Sequence, residues 1–367
     1  MSIYRKLKCT LYWSFIFFLF SAELSYCQVK VGDWISLTSS LKIRDVQFID
    51  NTLYTATEGG ILSIKENDYS VITNTNGLIG VDLLSIAKDN NDNLWVGGNS
   101  PFGFLQLYDP LLKESISSFD FQLTAIHDIQ VNGNITWVLF QDGQDNGLMK
   151  FIFGDKWEYR DSYRNYPEEI IKINCFVALD SMIFLGTNAG IYSSILTNNL
   201  KNPFSWEKSI QEIEEPISSI DAKTDGLVFT TDNGLFRYSF LYNQLNQIEI
   251  QVELEQANNL FISGNDYWFS EGKHLYLFRN NELLSIENKY DILAISKFGD
   301  KYTLGTDNGL IFLEWKSSTE LFEKSLFIPN SPVTNSFSAI EVLEDGRLVG
   351  GSNQGLSIFS SAGWRNI

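Results

Sequence analysis

Few residues in this chain have the types and spacing that chemistry needs. There are two histidines, His127 in "AIHDIQV" and His274 in "DYWFSEGKHLYLF". A zinc site takes four nitrogen, sulfur or oxygen ligands in a tetrahedron, and two distant histidines with no cysteine cluster do not supply it. "DNNDN" at 89–93 has the acidic look of a calcium loop. It lacks the glycine and distal glutamate of an EF-hand, so it reads as a turn between strands. The pairs Glu168-Glu169 and Glu214-Glu215 offer the two carboxylates of a glycosidase. That chemistry depends on a separation the sequence does not give, and solvated charge in variable loops is the simpler reading. No G-x-S-x-G elbow and no phosphate-binding loop occurs. The sequence thus assigns no catalytic residue, no metal ligand and no cofactor, and the expectation is a protein that is not an enzyme.

Three tryptophans recur in phase, Trp95, Trp137 and Trp268. Exposed, they would stack on sugars. Their phase matches the apolar Phe184, Val228 and Leu348 of other segments, which favours core packing. Cys175 lies in the apolar run "INCFVAL", where a small buried hydrophobe is expected rather than a reactive thiol.

The elements that position these residues show in a recurring turn. "GTDNGLIF" (305–312) places Asn308-Gly309 between two apolar runs, which predicts a hairpin closed by a type I′ turn. Relatives of that stretch are "TTDNGLF" (230–236), "GTNAGIY" (186–192), "ATEGGIL" (56–62) and "GSNQGL" (351–356). The marks Gly60, Gly103, Gly147, Gly190, Gly234, His274, Gly309 and Gly355 follow one another at intervals of 35 to 46 residues. That period is the size of a four-stranded propeller blade. "LLSIA", "LWVGG" and "FGFLQLY" within 82–108 read as first, second and third strands, with a more variable fourth near "ESISSF". One such unit exposes its apolar faces, and units stacked around an axis bury them.

The fold expected is therefore all-β: a seven-bladed β-propeller of four-stranded blades over 28–328. A linker at 329–336, marked by Pro329 and Pro332, separates it from 337–367, the start of a second, truncated propeller. "DWISLTS" (33–39) precedes the first unit as an orphan strand. It is expected to close the ring as the outer strand of the blade containing 292–315.

The first 27 residues read as a signal peptide. Arg5, Lys6 and Lys8 precede the uncharged apolar run "CTLYWSFIFFLFSA" (9–22), with cleavage expected before Gln28. Tyr26 stands where a lipoprotein signal needs a small residue. Cys9 and Cys27 would leave with the peptide, so no internal disulfide is expected. The mature chain has no other apolar stretch long enough for a transmembrane segment. The whole chain carries −18, and the remainder −20 once the leader's three cations and one anion are removed. Such a surface opposes nucleic acid, which needs cations to displace its counterions. Export to the periplasm or cell surface of a Gram-negative bacterium is expected.

"NTNGLIGVDLLSIAKDNNDNLWVGG" resembles the two-component-regulator propeller repeat, which covers most of 40–360. "PNSPVTNSFSAIEVLEDGRLVGGSNQGLSIFSSAGWRNI" and the opening "DWISLTSSLKIRDV" resemble PorZ-like components of type IX secretion. This resemblance implies a binding role at the cell surface, for a protein partner or an anionic surface glycan. The related alternative is the periplasmic sensor domain of a hybrid two-component histidine kinase without its C-terminal half. If there is a binding surface, it is expected on the ring face that gathers the second-to-third-strand turns. The ligand-binding candidates there are Glu58, Asn99, Asn188, Asp232, Asn233, Asp307 and Asn308.

Overall fold

The structure is a computed structural model that describes residues 34–66, 68–250, 252, 254, 256–315 and 321–367. The signal peptide expected over residues 1–27, with its cleavage site, lies outside the described residues. Residues 36–367 form one compact unit. Its regular structure is eight four-stranded antiparallel sheets, each in simple meander order. Two short 3₁₀ turns, Asn74–Asn76 and Pro203–Ser205, are the only helical pieces among the described residues. None of the described helices is long and apolar enough to cross a membrane.

Seven sheets make a ring of blades: 43–72, 82–123, 125–163, 173–208, 219–248, 258–287 and 292–327. The first strand of each blade packs against the first strand of the next, and that of the seventh (Ile292–Phe298) returns to that of the first (Ile43–Ile49). Burial explains the sequence pattern. Second strands are enclosed by neighbouring blades on both faces, so Gly226–Thr231 is buried throughout and reads as a continuous apolar run. Fourth strands have one wet side, and Glu114–Leu123 alternates. Trp95, Trp137 and Trp268 are among the largest fully buried side chains, as their phase predicts. Trp95 packs against Phe119, Phe151 and Trp157, joining the second blade to the third.

The ring is not closed by an outer strand from the N-terminus, contrary to the expectation for 33–39. Residues 34–42 carry no strand, and residue 33 lies outside the described residues. The seventh blade supplies its own fourth strand, Leu321–Phe327, with Leu310 opposite Phe327 and Ile311 opposite Leu326. The edge that an N-terminal strand would need is already paired. Closure comes from packing instead. Ile43, Val46, Leu53 and Leu62 of the first blade share a core with Ala294 and Leu310 of the seventh. Phe48 stacks on Phe298 at 4.8 Å, and Gly309 N–H donates to Leu41 O at 2.7 Å.

The eighth sheet, 339–366, is separate from the seven blades and shares no strand pairing with them. Its first strand, Ala339–Val342, is exposed at every position.

Candidate functional site

The recurrent turn is built differently from the type I′ expectation. Gly309 pairs directly opposite Thr306, so Asp307 and Asn308 are the loop residues. Gly309 takes φ +99°, while neither loop residue is among those with positive φ. That is a turn of ordinary hand followed by a left-handed glycine. A Cβ on Gly309 would sit 2.3 Å from Phe327 O, so the glycine also makes room for the fourth strand. The residue that organises the loop is the threonine before it. Thr306 Oγ1 accepts from Asn308 N (3.1 Å) and donates to Gly309 O (2.8 Å). Thr57 and Thr187 make the same pair of bonds in the first and fourth blades, and Ser352 does so in the eighth sheet. A type I′ turn does occur at Asn280-Asn281, both of positive φ between paired Arg279 and Glu282.

Strand alternation puts every second-to-third-strand turn, and every connection between blades, on one ring face. The candidates are spread around that face. Asp232 and Asn233 share a cleft of about 560 Å³ with Gln247 and Glu249 of the fifth blade. Asp307 Oδ1 accepts Asp291 N in the seventh blade. Asn188 is occupied structurally: its Oδ1 accepts the N–H groups of Ile171 and Lys172, and its Nδ2 donates to Glu169 O. Asn99 is exposed near the end of the second strand Leu94–Ser100. Beside Glu58 the face is covered by the segment after the seventh blade. Asn335 Nδ2 donates to Glu58 O (2.7 Å), and its Oδ1 accepts Ser39 N (2.6 Å). Ser331 Oγ accepts Ser40 N, and Asn330 exchanges hydrogen bonds with Trp364 of the eighth sheet. The "PNSPVTN" segment is therefore a knot tying ring to eighth sheet.

Sequence reading missed the axial channel, a space of about 640 Å³ lined by the first strands of all seven blades. Three carboxylates face it: Asp45, Asp128 and Asp221. First strands have an unpaired edge toward the axis, and polar side chains from the preceding blade satisfy it. Asp45 Oδ2 accepts Ile86 N (2.9 Å) and Ser85 Oγ (3.0 Å). Asp221 Oδ2 accepts Ile262 N (2.8 Å), and Ser219 Oγ accepts Leu260 N (3.0 Å). Between the third and fourth blades the clamp is an amide: Gln130 Oε1 accepts Ala178 N (3.3 Å), and its Nε2 donates to Phe176 O (2.7 Å) and Asp128 Oδ2 (3.0 Å). Burial raises the carboxyl groups of Asp45 and Asp221. Asp128 is pushed up to about 6, first by burial and then by the charge of Asp45. The signal was present in "IRDV", "AIHDI" and "SSIDA", an acid beside an apolar residue in each of three first strands.

The remaining chemical candidates are spent or isolated. Asp89 is buried, its Oδ1 accepting from the N–H groups of Asn91 and Asn93 and its Oδ2 from Trp157 Nε1 (2.9 Å), so "DNNDN" is a turn pinned to the next blade. His127 pairs with Gln141, and His274 stacks on Tyr276. Cys175 lines the channel, where burial pushes its thiol up and keeps it protonated. Among the described residues no three His, Cys, Asp or Glu side chains are grouped to hold a metal ion. A cleft of about 1620 Å³ opens between the fifth and sixth blades beside Lys223, Arg237 and Tyr267.

No family profile and no curated protein matches the chain. Solved structures do. PorZ, an essential bacterial surface component of the type IX secretion system of Porphyromonas gingivalis, aligns with TM-score 0.70 at 14% identity. The alignment covers 92% of this chain and 46% of PorZ. The extracellular domain of BT4673, a putative hybrid two-component system of B. thetaiotaomicron, aligns with TM-score 0.61 at 17% identity, over 90% of this chain and 45% of that one. The WD40 propeller of Doa1 gives TM-score 0.61 at 9% identity, over 77% of this chain and 98% of its own. The fold is thus a β-propeller, and the chain spans about half the length of PorZ and of the BT4673 domain.

Proposed function

We propose that this is an exported, non-enzymatic propeller that binds a protein partner or an anionic surface glycan, as a PorZ-like surface component of type IX secretion. One observation carries the reading. The single-ring neighbour Doa1 covers 77% of this chain, about the extent of the seven blades, whereas PorZ covers 92%. The wider match is longer than the seven blades alone, and the BT4673 domain, at 90%, is longer too. On this reading 329–336 is a linker and 337–367 opens a second ring. The ligand face is the one bearing the second-to-third-strand turns, from Glu58 and Asn99 through Asn188, Asp232 and Asn233 to Asp307 and Asn308. The basic, apolar leader supports export, with cleavage before Gln28.

Disrupting the gene in the native host tests this. Retention of secreted cargo inside the cell, with the wild-type protein accessible to added protease at the surface, is the expected result. Normal cargo export together with a protein shielded from protease would refute it. The likeness to the BT4673 extracellular domain favours a second reading, a sensor domain, which predicts altered transcription in place of retained cargo.

A further inference from the structure

We propose that Asp128 and Gln130 form a proton-sensitive clamp in the axial channel, through which acidification loosens the hold of the third blade on the fourth. Asp45 and Asp221 reach the next blade directly, each accepting one of its N–H groups. Asp128 reaches it only through Gln130. The ionised carboxylate accepts Gln130 Nε2 and thereby fixes the amide so that Oε1 faces Ala178 N. The same Nε2 holds Phe176 O. A protonated Asp128 accepts from Gln130 Nε2 only as a neutral acid, so the charge-assisted bond that steadies the amide weakens while the Phe176 bond remains. Held by Phe176 O on one side alone, the amide is less firmly fixed, and the longer of the two seam bonds, from Ala178 N at 3.3 Å, is the one that opens more often.

The surroundings make this proton available near neutral pH. Charged or titratable groups facing the channel are Arg44 and Asp45 from the first blade, Cys175 from the fourth and Asp221 from the fifth. Ser85 of the second blade and the channel residues of the sixth and seventh carry no charge. Arg44 is committed to Asp82 and Leu83 O, so it does not neutralise the channel. His127, the neighbour on the same strand, is bound to Gln141. Asp128 thus meets burial and the Asp45 charge with no cation opposite, and both favour its neutral form.

The test uses the full chain with ¹³C-labelled aspartate, following the Asp128 carboxyl carbon and the hydrogen exchange of Ala178 N–H by NMR from pH 4 to 8. The expected result is a carboxyl midpoint near 6, and an Ala178 protection factor, corrected for intrinsic exchange, that falls several-fold through the same midpoint on acidification. Asp128→Asn, which still accepts from Gln130, should show a flat protection profile. A midpoint in the ordinary carboxylate range overturns the proposal, as does protection that ignores the titration or an equal step in Asp128→Asn. The wild-type titration alone decides the matter if the variant does not fold.

Discussion

Replacing Asn335 should destabilise the ring although the residue lies outside every blade. Its side chain makes two short bonds, Nδ2 to Glu58 O (2.7 Å) and Oδ1 from Ser39 N (2.6 Å), and a longer one to Ser39 O (3.4 Å). Ser39 is fully buried, so its N–H has no solvent to turn to. A net 0.5–1.5 kcal/mol for each short bond, with solvent screening at the exposed Glu58 end, gives about 2 kcal/mol for Asn335→Ala. With an unfolding entropy of roughly 2 cal/mol/K per residue, that is a Tm lower by about 3 °C. Asn335→Asp sharpens the test. It keeps an acceptor for Ser39 N but sets a carboxylate against the carbonyls of Glu58 and Ser39. Its loss should be at least as large at pH 7 and should shrink as the pH falls below about 4, when the carboxyl regains a donor. Thermal unfolding at both pH values is the assay. An Asn335→Asp chain as stable as wild type at pH 7, or a deficit independent of pH, would refute the knot as drawn.

Four further outcomes follow from the same geometry. Gly309→Val should cost about 3 kcal/mol or more, from the positive φ and the Phe327 carbonyl 2.3 Å from any Cβ, while Asn308→Ala stays within about 0.5 kcal/mol in the same melts. Thr306→Val orphans Asn308 N and Gly309 O and should lose about 2 kcal/mol by denaturant titration. Asp128 binds a proton below about 6 when folded, against an ordinary 3.8, so between those values the folded chain holds a proton the unfolded chain lacks. Wild-type Tm should therefore rise from pH 7.5 to pH 5, by more than in Asp128→Asn; the global gain from shedding a buried charge coexists with local release of the Gln130 clamp. A chain ending at residue 336 keeps Asn335 and should remain folded, whereas one ending at 329 should melt several degrees lower.

The sequence by itself determined the blade. Strand length, the period of the marks and the apolar second strands are local properties, and Trp95, Trp137 and Trp268 reach the core because a strand enclosed by two neighbouring blades is apolar on both faces. The turn was legible in place though not in kind. Glycine's need for positive φ is local, but the bonds that Thr306 makes around the loop depend on strand register, which no residue type announces. Closure was decided by tertiary structure. "DWISLTS" has strand composition, yet the seventh blade pairs with its own Leu321–Phe327, and an edge already bonded accepts no second strand. The channel was equally invisible. Asp45, Asp128 and Asp221 are far apart in sequence, and only closing seven first strands around one axis brings their charges together, where low dielectric makes them act on one another.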